Sequence, residues 1–274
     1  MNTQCTLVRK LVEQVDLADT LAQANLKNIH FKKIQWSEVE LNDVEFENCL
    51  FEDNRFGAAK FDNLKFYNSQ FDDCQFSHAQ WQDCLLDGCI FYNAEKDRGC
   101  DFSYTTLRFV RFLECNLSLA KFKAADLFGL NIKNCKIVGC DFEKSSFSNR
   151  ISNKVMFANA EIIDSNCRFS RFSYVHLANC NLSNNDFTEA LFDHTNLDEA
   201  NMTDCVLNGM SFEHCSLKEL NLQGASCTNL TLQSCNFPGL RISFDQCANI
   251  LKLFDIVVEN EKLFDIVVEN KKEK

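Results

Sequence analysis

From Leu26 to Phe91 every fifth residue is Leu, Phe or Trp, fourteen positions in succession, and a small residue such as Ala24, Ala59, Cys74, Cys84 or Cys89 often stands two places earlier. The beat resumes from Phe102 to Phe147 with ten positions of Phe, Leu or Ile. It continues from Phe157 to Phe237 with seventeen, of which fifteen are large and apolar and two are Cys167 and Cys227. Asn, Asp, Gln, Ser, Lys and Glu fill most places between. A helix repeats every 3.6 residues and a strand every two, so neither alone gives this pattern. In an extended segment residues i−2 and i share a face, and the other residues of each five must turn the chain before the next inward pair. Such units predict a β-helical coil filled by one large and one small residue per side. Stacked coils would supply one another's backbone hydrogen bonds at about 4.8 Å per coil.

The rhythm accounts for most of the sixteen cysteines. Cys49, Cys74, Cys84, Cys89, Cys100, Cys115, Cys135, Cys140, Cys180, Cys205, Cys215 and Cys235 all fall at the i−2 place, where a small buried hydrophobe is wanted. Cys115 with Cys135 and Cys215 with Cys235 would stack within disulfide reach. The N-terminus MNTQCTLVRKLVEQ has no signal-peptide core and no apolar run is long enough to span a membrane, so a cytoplasmic chain with reduced thiols is expected. One proline and eight glycines in 274 residues leave no linker, and the chain reads as one continuous body.

Two breaks interrupt the beat. Between Phe91 and Phe102 eleven residues replace ten, which predicts one extra residue bulging outward within Tyr92–Gly99. Between Phe147 and Phe157 the spacing holds at ten, yet polar Ser152 takes the inward place with Arg150 nearby, so residues 148–156 are expected to loop out before Phe157 rejoins the core.

Both ends need caps, because an open β-helix exposes strand edges and core. TLVRKLVEQVDLADTLAQ, with Leu7, Leu11 and Val15 at helical spacing, predicts a capping helix over residues 1–20. At the other end KLFDIVVEN occurs twice, at Lys252–Asn260 and Lys262–Asn270. A helix over 248–274 is expected there, with Leu251, Leu253, Phe254, Ile256 and Val257 as a dimer seam.

The segments Ala24-Asn25-Leu26, Cys100-Asp101-Phe102, Cys115-Asn116-Leu117, Ala125-Asp126-Leu127 and Cys180-Asn181-Leu182 resemble the pentapeptide-repeat family across about residues 21–247. The resemblance implies an all-β fold, a right-handed quadrilateral β-helix of twenty residues per coil with short N- and C-terminal capping helices. It would be a rod on the order of 50 Å long. CIFYNAEKDRGCDFS, KSSFSNRISNKVMFANAEI and SFDQCANILKLFDIVV further resemble the two loop-bearing segments and the C-terminus of the Qnr quinolone-resistance proteins, although this chain carries additional repeats before its first loop. That similarity implies a homodimer that binds bacterial type II DNA topoisomerase subunits, gyrase or topoisomerase IV, and relieves quinolone poisoning. By the same resemblance, the partner-binding residues would be Tyr92, Asn93, Glu95, Lys96, Asp97, Arg98 and Gly99 in the first loop. Those in the second would be Ser148, Asn149, Arg150, Ile151, Asn153, Lys154 and Met156. A scaffold of the same fold serving another protein partner remains the alternative.

Charge and chemistry narrow the function classes. Lys+Arg 28 against Asp+Glu 39 gives −11, which disfavours direct nucleic-acid binding. A duplex carries one charge per about 1.7 Å, far denser than this chain. Along the sequence the charge is striped, with seven acidic and no basic residues in Ser37–Asp53 and again in Phe172–Leu217. The histidines His30, His78, His176, His194 and His214 form no ligand spacing with one another, and neither a phosphate loop nor a nucleophile elbow occurs. No catalytic residue, metal or cofactor is expected, and the chain reads as a non-enzyme.

Overall fold

Two residues after each inward aromatic the backbone turns left-handed. Asn28, Lys33, Glu38, Asp43 and Asn48 have φ between 54° and 63°, and the same corner recurs along the chain, with Gly88, Gly129 or Gly139 in some places. Asn, Asp and Gly occupy many of these corners because they tolerate that conformation at least cost. A corner every five residues, with each side pairing with the one twenty residues on, makes the coil four-sided. In the computed structural model, which describes residues 9–150, 156–232, 234–252 and 256 without the side chains of Arg150 and Met156, the chain is a β-helix as the repeat predicts, with the four sides that the family resemblance implies.

Many sides before Ile163 are strands of three or four residues and the others, including those described after it, are single bridges, each paired in parallel with the same side of the next coil. Phe31 lies opposite Phe51, Phe51 opposite Phe71, and Leu41 opposite Phe61 and then Trp81. Four columns of side chains, beginning at Leu26, Phe31, Trp36 and Leu41, fill the interior. In the Trp36 column the rings of Phe56, Phe76, Phe102, Phe122 and Phe142 stack 4.4–5.0 Å apart. Stacks at this spacing add to the burial energy of each ring. The cysteines sit where the repeat places them and are free thiols in the described residues. Their sulfhydryls donate to carbonyls of the coil below, Cys49 to Leu26 at 3.4 Å and Cys140 to Leu117 at 2.9 Å. The polar residue Asn54 takes the same place and is fully satisfied. Its amide accepts from Trp36 Nε1 at 3.0 Å and donates to the Phe31 carbonyl at 2.8 Å.

The N-terminal end differs from the expected capping helix. Lys10–Val12 is a strand that adds below Ile29–Lys32 and buries Val12 beneath Phe31, and helical turns cover only Gln14–Asp16 and Leu17–Leu21. The apolar spacing misleads because Leu11 and Val15, 51% and 86% exposed, point outward while Val12 and Leu17 are buried. Gln14 then pairs its amide with both backbone groups of Gln35, at 2.7 and 3.1 Å, and so extends the neighbouring side without a strand. At the other end Phe244–Gln246 and Cys247–Lys252 are helical, begun by a Ser243/Gln246 capping box. Gln246 is buried and donates to the carbonyl of Leu222 at 2.8 Å, closing the last coil. Leu251 is half-buried and Ile256 exposed, whereas Leu253, Phe254, Val257 and most of the KLFDIVVEN duplication lie outside the described residues. No described helix is long and apolar enough to cross a membrane.

Candidate partner-binding site

Both breaks are β-hairpins that leave the wall at corners, and both insertions are longer than the sequence suggests. Gln75 pairs with Asp101, twenty-six residues on, where an uninterrupted coil takes twenty. The first insertion is therefore six residues rather than one, and the remaining five form an ordinary side. In the second, Lys136 pairs with Asn166 thirty residues on. Ten inserted residues equal two whole repeats, so the beat hides them. As a result Phe157 does not rejoin the core. It is 49% exposed on the returning strand, and Ile162 takes the next inward place.

In hairpin 1, Tyr92 and Asn93 run antiparallel to Gly99 and Arg98. The Asn93 side chain caps the turn by accepting from the amides of Glu95 and Lys96, both at 3.1 Å, and the Tyr92 hydroxyl donates to Asp97 at 2.7 Å across its mouth. Gly99 has a steric reason. A Cβ there would lie within 2.5 Å of the Ser118–Ala120 backbone, so only glycine lets the returning strand pass so close. Lys96 and Arg98 both fold back onto Asp73 in the wall, Arg98 Nε lying 2.8 Å from its carboxylate. The Asp73 side chain is only 5% exposed, and burial alone would raise its pKa. The two cations outweigh burial and hold the carboxyl below its usual range. Glu95 stays at the exposed tip.

In hairpin 2, Ser148, Asn149 and Arg150 pair with Ala158, Phe157 and Met156. The Asn159 amide closes the base on the Phe147 carbonyl at 3.0 Å, and the Gly129 amide donates to the Asn159 carbonyl at 2.7 Å. Ile151, Asn153 and Lys154 lie outside the described residues, as do the side chains of Arg150 and Met156. At the foot of this hairpin Phe157 lies 6.3 Å from Phe128, and Phe128 5.5 Å edge-on from Phe109, which is 41% exposed. The Arg108 guanidinium sits 6.0 Å from the Phe128 ring. Sequence reasoning missed this outer aromatic strip and also missed Asp73. Phe109 and Phe128 stand off the inward beat, and that was the available signal.

The coil register fixes where the hairpins point. Hairpin 1 leaves between the Phe91 and Phe102 sides and hairpin 2 between the Phe147 and Ile162 sides, which are diagonally opposite corners of the square.

The acidic stripe near the N-terminus is largely neutralised in space. Lys27, Lys32, Lys60 and Lys65, each one coil away, pair with Glu47, Glu52, Glu40 and Glu45 at 2.5–2.9 Å. The Phe172–Leu217 stretch keeps its charge, with a single Arg168–Asp186 contact at 3.9 Å as its pairing to lysine or arginine among the described residues.

Comparison with known proteins agrees with this geometry. The Pentapeptide repeats family pattern matches residues 100–136, 165–209 and 200–239 in eight copies. The solved full-length QnrB1, described as a plasmid-mediated fluoroquinolone resistance protein, superposes with a TM-score of 0.58 over 79% of this chain and all of that one, at 24% identity. The chain has the pentapeptide-repeat fold. Among curated pentapeptide-repeat proteins, QnrB4 of Escherichia coli is 37% identical over 97 residues, 35% of this chain and 45% of that protein. The quinolone resistance pentapeptide repeat protein QnrB96 of Scandinavium goeteborgense is 37% identical over 98 residues, 36% and 46% of the two chains. The matched stretch thus spans somewhat under half the length of these curated relatives.

Proposed function

We propose that this pentapeptide-repeat rod is a quinolone-resistance protein that binds a bacterial type II DNA topoisomerase, gyrase or topoisomerase IV, and protects it from the drug. The observation that carries the reading is the pair of hairpins. Among the described residues they are the two large projections from an otherwise regular wall, and they occur in a chain similar to QnrB4 and QnrB96, the latter named for quinolone resistance. Hairpin 1 would offer Tyr92, Glu95 and the outer faces of Lys96 and Arg98. Hairpin 2 would offer Asn149, Arg150 and Phe157. Loops carried on a rigid scaffold are a common place for such contacts. The rod acts as a cytoplasmic homodimer joined through its C-terminal helix, without catalysis and without binding nucleic acid itself.

A supercoiling assay with purified gyrase, ciprofloxacin and the full chain tests this. Recovery of supercoiling with increasing protein is the expected result, and absence of recovery at any ratio overturns it. If a native pull-down retains some other protein and no topoisomerase subunit, the rod is a scaffold for that partner instead.

A further inference from the structure

One outward corner of the rod carries a vertical stack of side chains that the proposed function does not use. Lys144, Tyr174, His194 and His214 occupy successive left-handed corners, with φ of 60°, 59°, 52° and 56°. The Tyr174 ring stacks on His194 at 4.8 Å and His194 on His214 at 4.6 Å. A spacing of twenty is one coil, so the fold brings together two histidines that look unrelated in the sequence.

Asp193 lies between them. Its Oδ1 is 2.6 Å from His194 Nδ1 and 3.3 Å from His214 Nδ1. One ligand atom from each of the three residues lies within 4.8 Å of the others. The backbone holds this arrangement: the Tyr174 amide donates to the Asp193 carbonyl at 2.9 Å and the His194 amide to the Glu213 carbonyl at 3.1 Å. All three side chains are reachable from solvent.

We infer that Asp193, His194 and His214 form a surface site for one divalent transition-metal ion of the zinc class. Two imidazole nitrogens and a carboxylate oxygen suit Zn²⁺, Ni²⁺, Co²⁺ or Cu²⁺, whereas Mg²⁺ and Ca²⁺ favour all-oxygen sets. The surroundings favour a cation. No lysine or arginine occurs from Phe172 to Leu217, and Lys144 stands on the far side of Tyr174, its Nζ 5.8 Å from that ring. Three protein ligands leave at least one position for water or for a group from another molecule. His30, which pairs with Glu52 at 2.9 Å, and His78, stacked on Tyr104 at 5.7 Å, lack a second histidine and should not compete.

The test is a zinc titration of the full, tag-free chain, kept reduced with a phosphine and followed by competition with a fluorescent zinc indicator. One equivalent should bind. His194→Asn and His214→Asn, chosen because asparagine tolerates the left-handed corner, should each weaken binding by about tenfold or more, and the double variant should abolish it. A His78→Asn control should bind as the parent does. Ring resonances of His194 and His214 in the unaltered chain should shift with zinc while those of His30 and His78 stay, a readout that does not depend on any variant folding. Absence of saturable binding at millimolar zinc, equal binding in a folded double variant, or shifts confined to the other histidines would each overturn the inference.

Discussion

Phe142 and Phe172 stack face to face with their centroids 4.7 Å apart, although thirty residues of chain separate them. The neighbouring stacks, Phe122 on Phe142 and Phe172 on Phe192, span twenty residues and measure 4.8 and 4.9 Å. Hairpin 2 therefore adds ten residues to the chain and nothing to the core. Deleting Ser148–Phe157 returns Ile162 to five places after Phe147, and deleting Tyr92–Asp97 does the same for Phe102 after Phe91. Each deletion should leave the far-ultraviolet circular dichroism and the thermal midpoint close to those of the parent while removing protection of gyrase. A deletion that unfolds the rod would show that the hairpins are structural.

Truncation inside the stack should behave in the opposite way. Phe142 is fully buried between two parallel rings, so Phe142→Ala should cost about 3–5 kcal/mol, read from guanidinium unfolding. A loss under about 1 kcal/mol would mean that the column collapses to refill the space.

Asp73→Asn removes the anchor of hairpin 1. The predicted result is faster amide exchange and tryptic cleavage at Lys96 and Arg98 with little change in the global midpoint, because both cations are largely solvated. The Asp73 pKa is lowered in the fold, so the anchor is intact above the ordinary carboxylate value of about 3.9 and is lost as pH falls through the depressed native one. Exchange at the hairpin should therefore rise only in strong acid.

Burial pushes the thiols of Cys84, Cys180 and Cys205 up to about 12. In the unfolded chain they ionise near 8.5, so the unfolded state binds fewer protons above that pH and stability falls with a slope of ~1.4 kcal/mol per pH unit per thiol until the native value is reached. The rod should be stable to about pH 8 and lose stability steeply from about pH 9 to 12. Iodoacetamide at pH 8 should leave these thiols untouched until denaturant is added. Rapid native labelling at Cys84 would contradict the buried placement.

Much of the fold was legible because the period is physical: inward Phe51, small Cys49 and the left-handed Asp53 recur as a unit, and each repetition reinforces the same corner. The insertion lengths were not legible. A ten-residue insertion leaves the count modulo five unchanged, so Phe157 imitates a core residue. The thirty-residue step from Lys136 to Asn166 and from Asp141 to Arg171 in the ladder reveals it. The N-terminal strand was hidden for a related reason: Leu11, Val12 and Val15 satisfy a helical spacing as well as a strand, and pairing with Ile29–Lys32 decides between them. Asp73 and the Asp193 cluster depend on contacts twenty or more residues apart, which a linear search for motifs does not examine.

Because Asp73 clasps Lys96 and Arg98 before any encounter, hairpin 1 would meet the proposed partner with its shape already set. Little conformational freedom is left to surrender on docking, so its share of the association should proceed without the slow step and the large heat-capacity drop of a segment that folds on contact.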